Sequence, residues 1–568
     1  MAAWHDVAVS TAPTQASSER LSRARHWLLT PSPRTGEPSS WTLLRRAVLL
    51  LTTLLTFGIG LYRIGDVSPW ADEAVTVTVM HRSWSQLFLL WGGADAPLIP
   101  YYVIAKLWVS ALPWLSTLVA LRVLSAFAAA LTVSFTVALV TRRAGTAVAL
   151  VSAALLMSLP GLSRFAQEAR PSALLLLAAT ASWFAWGTWR RPTDRPAASA
   201  GADDHRPGVL RTIVDSLGYV ISLACTALIH LFGLFQWPAQ VIADLTTPSL
   251  TARARVRRAL GSIAAMVGAL VVVGVPVAIA ALRGTGPAKS APVTVRLLLS
   301  TLNKAVLWSG SWPRATVVFA AAAFVILLWI FRAKVLRRDA DLVRISVIWL
   351  GVPLLLAVAT AFVKPSLLRP RYWLPLLPPL AVLAGLGLFA AARIAYGLTH
   401  KALIGRGTAA RRSTAAATVV AMVVVLVPLA GHGWAVLPVH SSIRAQKGHG
   451  MSMTPALKRV DAMLAEEPDL PVLVSPGTRT LLVVAMRPDL TDRNALFLQD
   501  PNRPTVWPIK QSAASVAEQL AGHDRAIWLH SEPGAPKPTA PPKVMQQAGF
   551  ELDSIERVGS WWFSILVR

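Results

Sequence analysis

Apolar runs, most of them close to twenty residues long, follow one another along positions 43–437, separated by short stretches that hold arginine, proline and tryptophan. A helix needs about 20 apolar residues to cross the hydrocarbon core of a bilayer. On that criterion the pattern predicts eleven spans, at 43–62, 118–140, 145–163, 171–189, 212–229, 231–246, 259–282, 315–333, 343–363, 372–392 and 413–437. Segment 98–115 is apolar as well. Lys106 in its middle and Tyr101, Tyr102, Trp108 and Trp114 along it suit a helix lying in the membrane interface.

The pattern changes after residue 437. Helix-like runs (Pro455–Glu467, Ala513–Ala521) alternate with strand-like runs (Pro471–Ser475, Ala526–His530, Ser564–Val567), separated by Pro/Gly-rich loops. The first forty residues are polar and rich in Ser, Pro and Arg, which reads as a disordered cytoplasmic tail. No internal repeat and no cleavable signal peptide is apparent. The expected fold class is therefore an all-α polytopic membrane protein of about eleven transmembrane helices (41–437), with a small extracytoplasmic α/β domain at 438–568.

Composition agrees. Of 568 residues, 54% are hydrophobic and only 15% charged, against roughly 25% charged in soluble domains; the mean hydropathy is +0.52. The formal net charge of +27 raises nucleic-acid binding, but the placement of the charge argues against it. Arg45/Arg46, Arg142/Arg143, Arg190/Arg191, Arg253–Arg258, Arg332–Arg338 and Arg393–Arg412 all fall on one side of the predicted bundle. Cytoplasmic loops carry such an excess, and anionic lipid heads attract it. Loops 63–117, 164–170, 283–314 and 364–371 then face outward with the C-terminal domain, in a multi-pass protein of the plasma membrane. Cys225 is the single cysteine, so no internal disulfide is possible.

The outward loops carry unusual charge. Asp72 and Glu73 are adjacent just after the first span; they are candidates for chemistry, or simply favourable charges at a helix N-terminus. Asp95 ends an apolar stretch and precedes Pro97 and the Tyr101-Tyr102 helix, where it can cap that helix. Arg164, Gln167, Glu168 and Arg170 crowd one short turn. Lys364, Arg369 and Arg371 precede Tyr372 at the entry to a late span. Outward arginines run against the usual bias; a bound anion explains them, since the guanidinium fork matches phosphate, and so does anchoring to lipid heads. His230 closes the fifth span, a functional candidate or a helix-packing hydrogen bonder.

Taken in order, these pieces resemble the membrane glycosyltransferases of the GT-C superfold, in the branch of bacterial lipid A aminoarabinose transferases and protein O-mannosyltransferases. The resemblance covers spans one to ten. It rests on the acidic pair Asp72-Glu73, on Asp95 through Tyr102, and on Arg122-Val123-Leu124-Ser125-Ala126. It also rests on Gln167 through Arg170, on His230-Leu231-Phe232-Gly233, and on Arg371, Tyr372, Pro375 and Pro378. Ala96 stands where the family usually has a histidine, and Pro171-Ser172 where an aromatic is usual; both departures bear on the acceptor more than on the reaction.

The resemblance implies a polyprenyl-monophosphate sugar donor and an inverting transfer on the outer face to a glycan or glycolipid of the cell envelope. Asp72 is then the expected general base, Glu73 orients it or the acceptor, and Asp95 is a second carboxylate of the same pocket. Arg170, Arg369 and Arg371, with Lys364 behind them, are expected to hold the donor phosphate. Tyr101, Tyr102, Gln167, Glu168, His230 and Tyr372 are expected to contact substrate. No metal or other cofactor is expected. Residue usage suits a high-GC bacterium such as an actinobacterium, and mannose is the expected sugar by resemblance, arabinose the alternative. A lipid or polysaccharide transporter and a non-catalytic envelope-assembly scaffold are rival classes. A transporter favours polar groups at mid-membrane and repeated halves, and a scaffold needs no convergent carboxylates and arginines.

Overall fold

The computed structural model describes residues 39–190, 209–283, 292–308, 311–365, 368–406, 410–449, 452–531 and 536–568. The expected tail 1–40 lies outside these residues up to position 38; its last two residues already belong to the first helix, Ser39–Leu61.

Eight helices among the described residues are long and apolar enough to cross a bilayer. The expected span 145–163 is broken: Thr146–Ser158 and Pro160–Ala166 meet at 66°, because Pro160 lacks the amide that would continue the ladder. Ser172–Trp189 forms a helix where a span is expected. The expected span 231–246 is not one helix. It is a 3₁₀ turn, Leu231–Phe235, followed by the short helix Gln236–Leu245. Its ends still lie at opposite levels of the bundle, His230 against Tyr372 and Asp244 against Arg190. Segment 98–115 holds a helix of only 13 residues, Ile99–Ala111, or about 20 Å of rise against a hydrocarbon core of about 30 Å.

Arginines of three of the basic clusters meet acidic partners at one end of the bundle. Arg143 and Arg344 share Asp341 at 3.0 and 2.6 Å, Arg190 meets Asp244 at 2.6 Å, and Arg393 pairs with Asp339. The helix Leu377–Gly405 is the most enclosed span and packs on Thr146–Ser158, Thr316–Ile330 and Ala410–Ile443. Small residues let it approach. A Cβ on Gly387 would overlap the Ala321 carbonyl, and one on Gly385 the Ser152 side chain, the close backbone packing typical of helices in lipid.

The C-terminal domain carries a four-stranded sheet in the order β1-β4-β6-β5. β1 (Val472–Ser475) runs parallel to β4 (Arg525–His530), and β6 (Trp561–Val567) lies antiparallel to both β4 and β5 (Glu551–Val558). β2 (Phe497–Leu498) and β3 (Ile509–Lys510) form a separate pair. Successive side chains point to opposite faces. Leu473, Trp528 and Leu566 therefore enter a core with Phe550, while Val472, Val474, Leu529 and Phe563 pack with Ala74, Val75 and Val79 of the helix Ala71–His81. The sheet thus shares one hydrophobic core with the helices beside the first span. β5 is largely exposed, which hides its strand period in the sequence.

Gly387→Ala should force the central helix away from Thr316–Ile330. Overpacking of this kind costs typically about 1–3 kcal/mol, and a lowered Tm of the detergent-solubilised protein would show it.

Candidate active site

The helix Ala71–His81 begins with two carboxylates whose surroundings differ completely. Glu73 is wholly buried. Arg122 grips it with both prongs, Nε to Oε1 and Nη2 to Oε2, each at 2.9 Å. The Ala169 amide donates to Oε1 at 2.9 Å, and the Trp70 amide reaches Oε2 at 3.3 Å. His449, from the segment that enters the C-terminal domain, places Nδ1 3.0 Å from Oε2. Burial alone would raise the Glu73 carboxyl, but the Arg122 charge and the hydrogen bonds from Arg122 and His449 outweigh it and hold the group well below its ordinary range. Burial, with the Arg164 charge adding, pushes His449 down to about 3, although Glu73 pulls the other way. The ring is therefore neutral, with Nδ1 carrying the proton it gives to Glu73.

Asp72, one residue earlier, keeps its side chain 26% exposed. Arg371 Nη1 donates to its Oδ2 at 2.6 Å, and Arg170 Nη2 lies 3.7 Å from the same oxygen. Arg170 also donates to the Asp72 carbonyl at 3.2 Å and to Thr76 Oγ1 at 3.4 Å. Burial would raise the Asp72 carboxyl; the charges of Arg170 and Arg371, with Arg369 further off, outweigh it and leave the group lowered.

Arg170 and Arg371 line a cavity of about 30 Å³ together with Leu98, Ser172, His230 and Tyr372, room for a water or two. Tyr372 packs on Phe232 and His230, with ring centres 4.6 and 4.4 Å apart. His230 Nδ1 accepts the Phe232 amide at 3.2 Å; burial, with Arg371 and Arg170 adding, takes the ring down to about 3. It is neutral, and Nε2 carries its proton. The Asp95 carbonyl accepts the amide of Leu98, a residue of the cavity lining, at 2.8 Å. Burial raises the Asp95 carboxyl against the pull of Arg170 and Arg82.

Of the residues expected to contact substrate, His230 and Tyr372 reach the cavity. The other four do not, because each is buried behind the wall. Tyr101 and Tyr102 pack in the core below Arg170. Gln167 gives its amide to the Gly60 and Tyr62 carbonyls at 2.9 and 2.8 Å. Glu168 faces Arg164 at 3.8 Å and accepts from Ser172 Oγ at 3.2 Å. Glu73 is not part of the cavity lining either. Arg369 is exposed at the rim, near enough to act on Asp72 through its charge. Lys364 is exposed and outside the cavity lining.

Trp70, Arg122 and His449, outside that set, shape the site. Trp70 lies between two guanidiniums, Arg371 at 5.5 Å and Arg164 at 6.0 Å from its ring centre, where the ring face attracts cations. Arg122 is legible in principle, since an arginine inside an apolar span demands a partner. His449, 376 residues from Glu73, leaves no local signal. Among the described residues, no group of three or more His, Cys, Asp or Glu side chains could hold a metal ion.

Glu73→Gln should leave the buried Arg122 charge without its counter-ion. Breaking one partner of such a pair costs roughly 3–5 kcal/mol, to be read as a fall in Tm, whereas Asp72→Asn at the part-exposed neighbour should lower Tm less.

The sequence matches no family model and no curated protein. Its fold is similar to solved structures. ArnT from Cupriavidus metallidurans bound to undecaprenyl phosphate aligns with a TM-score of 0.52 at 15% identity, over 93% of this chain and 98% of that one. The apo state of the same protein aligns with a TM-score of 0.51 at 14% identity and the same coverage. A likeness at this identity establishes the fold: a multi-pass GT-C-like helical domain joined to a small C-terminal α/β domain.

Proposed function

We propose that the chain is a glycosyltransferase that moves a sugar from a polyprenyl-monophosphate donor to a glycan or glycolipid of the cell envelope, with inversion and on the extracytoplasmic side. One observation carries the reading: a part-exposed carboxylate, Asp72, held by two guanidiniums at a cavity on the bundle end opposite the basic clusters. The positive-inside rule makes that end extracytoplasmic. The similar fold of ArnT, solved with undecaprenyl phosphate, supports a lipid-phosphate donor. Mannose remains the proposed sugar, by the family resemblance alone.

In the proposed reaction the acceptor hydroxyl attacks the anomeric carbon, and the bond from that carbon to the phosphate oxygen breaks. The proton passes to Asp72. The phosphodiester, singly charged in the donor, leaves as a monoester with a second negative charge. Arg170 and Arg371 stabilise that developing charge, the kind of preorganised electrostatics that dominates many barriers. Glu73 acts as a positioning residue: by fixing the first turn of Ala71–His81 it sets where Asp72 points. The uncharged His230 offers Nε2–H toward the cavity as a neutral donor.

The cavity is far too small for a lipid-linked sugar, and the guanidiniums that would take the phosphate are engaged by Asp72. Donor entry is therefore an exchange of partners. Phosphate takes contacts from Asp72, and the carboxylate, relieved of part of its positive surroundings, becomes a better base. The ion pair both stores the site in order and masks the base until donor arrives.

Asp72→Asn, purified and folded, should lose transfer of labelled sugar by about 10²–10⁴-fold, the usual contribution of a general base, while still binding polyprenyl monophosphate; unchanged turnover removes Asp72 from the mechanism. Exchange of partners also fixes the direction of a pH effect. Asp72 must be ionised to work, so activity falls as pH drops through its pKa. That pKa is lowered in the free site and rises once phosphate shares the arginines. The acid limb of kcat, which reports the complex, should lie at higher pH than the acid limb of kcat/KM for donor, which reports the free enzyme; coincident limbs would rule the exchange out.

A further inference from the structure

We propose that Arg82 and Gly93 dock the turn Asn502–Thr505 of the C-terminal domain onto the loop that carries Asp95, and that this seam is the acceptor-facing wall of the site. Calling the wall acceptor-facing rests on the transferase reading; the docking stands on geometry.

Arg82 follows the helix Ala71–His81 directly and is only 5% exposed. Its Nη1 donates to the Arg503 carbonyl at 3.0 Å and its Nη2 to the Thr505 carbonyl at 2.5 Å. One guanidinium of the membrane domain thus takes two backbone acceptors of the other domain. Four residues along, Gln86 Nε2 donates to Asn502 Oδ1 at 3.1 Å. The charge of Arg82 also bears on Asp95 of its own domain and on Asp500 of the other.

The second half of the dock is steric. A Cβ on Gly93 would overlap the Pro504 carbonyl oxygen, and one on Gly92 would lie 3.3 Å from Pro504 Cβ. Glycine is the residue that permits this backbone approach. From the opposite side, Arg283 at the end of the helix Ala252–Arg283 donates to the Gly92 carbonyl at 2.8 Å. Residues 92 and 93 are therefore clamped between a span and the C-terminal domain, and Asp95 is two positions further on.

Asp95 gives the seam its chemistry. Asp72 is met by guanidinium donors; the Asp95 carboxylate, part-exposed on the segment whose Leu98 lines the cavity, receives no hydrogen bond among the described residues. A carboxylate with lone pairs open recognises hydroxyl donors. The site thus has a cationic side for phosphate, at Arg170 and Arg371, and a carboxylate side for a polyhydroxylated ligand, at Asp95. The docked turn adjoins the second. The fitting ligand is the sugar end of a glycan or glycolipid.

The test compares full-length wild type, Gly93→Ala and Arg82→Lys. Hydrogen exchange should show residues 91–95 and 502–505 losing protection together in Gly93→Ala; loosening of 502–505 alone overturns the coupling. Labelled-sugar transfer to glycolipid extracted from the host envelope should need about tenfold more acceptor for half-saturation in Gly93→Ala, or about 1.4 kcal/mol, with a smaller rise in Arg82→Lys. Saturated turnover and the affinity for polyprenyl monophosphate should stay within about twofold, the signature of lost acceptor binding. Loosened loops with unchanged half-saturation, or lost polyprenyl-monophosphate binding, overturn the acceptor wall. A wild type that binds polyprenyl monophosphate and transfers nothing sinks the transferase reading instead. The seam is then judged by glycolipid binding followed through tryptophan fluorescence, where equal affinity in wild type and Gly93→Ala overturns it.

Discussion

A carboxylate sealed from water, Glu73, joins parts of the chain that no local interaction could bring together. It takes both prongs of Arg122 from one span, the amide of Ala169 from the turn between two helices, and a ring nitrogen of His449 from the segment leading into the C-terminal domain. A buried charge is tolerated only when its partners are complete, so each of these groups is needed where it stands. The consequence for chemistry is positional. Once Glu73 is fixed, Asp72 must point from the same helical turn toward Arg371 and Arg170.

Two adjacent acidic residues therefore divide the labour through environment rather than identity. Glu73 has no exposure and a full set of donors, and it cannot exchange partners without unpairing a charge. Asp72 is part-exposed and shares its guanidiniums with a cavity, so its contacts can be traded for those of an incoming anion. Pairs of carboxylates whose surroundings differ are a recurrent way to assign roles in an active site.

The C-terminal domain is built into this arrangement. Its sheet completes a core with Val75 and Val79 of the helix bearing the acidic pair, its entry segment binds Glu73 through His449 and holds Ser68 through Met453 and Gln446, and its turn at 502–505 is gripped by Arg82. A domain tied at three points around one short helix is a fixed wall for whatever binds beside Asp95.

Apolar runs near twenty residues and the one-sided basic loops were enough to read a polytopic helical bundle from the sequence, because lipid forces backbone hydrogen bonds inside each helix and charges to its ends. The same logic marked Asp72, Arg170 and Arg371 as costly outward charges, and the apolar runs 471–475 and 526–530 were read as strands. It could not say that 231–246 is a 3₁₀ turn joined to a short helix, since both forms use the same apolar residues. Nor could it say that Tyr101, Gln167 and Glu168 stand behind the cavity rather than in it, that His449 belongs to the site, or that Arg82 grips the turn at 502–505. Those assignments depend on contacts between residues hundreds of positions apart, and only the packing of helices against one another and against the C-terminal sheet decides which charges meet, which are sealed and which stay open to a ligand.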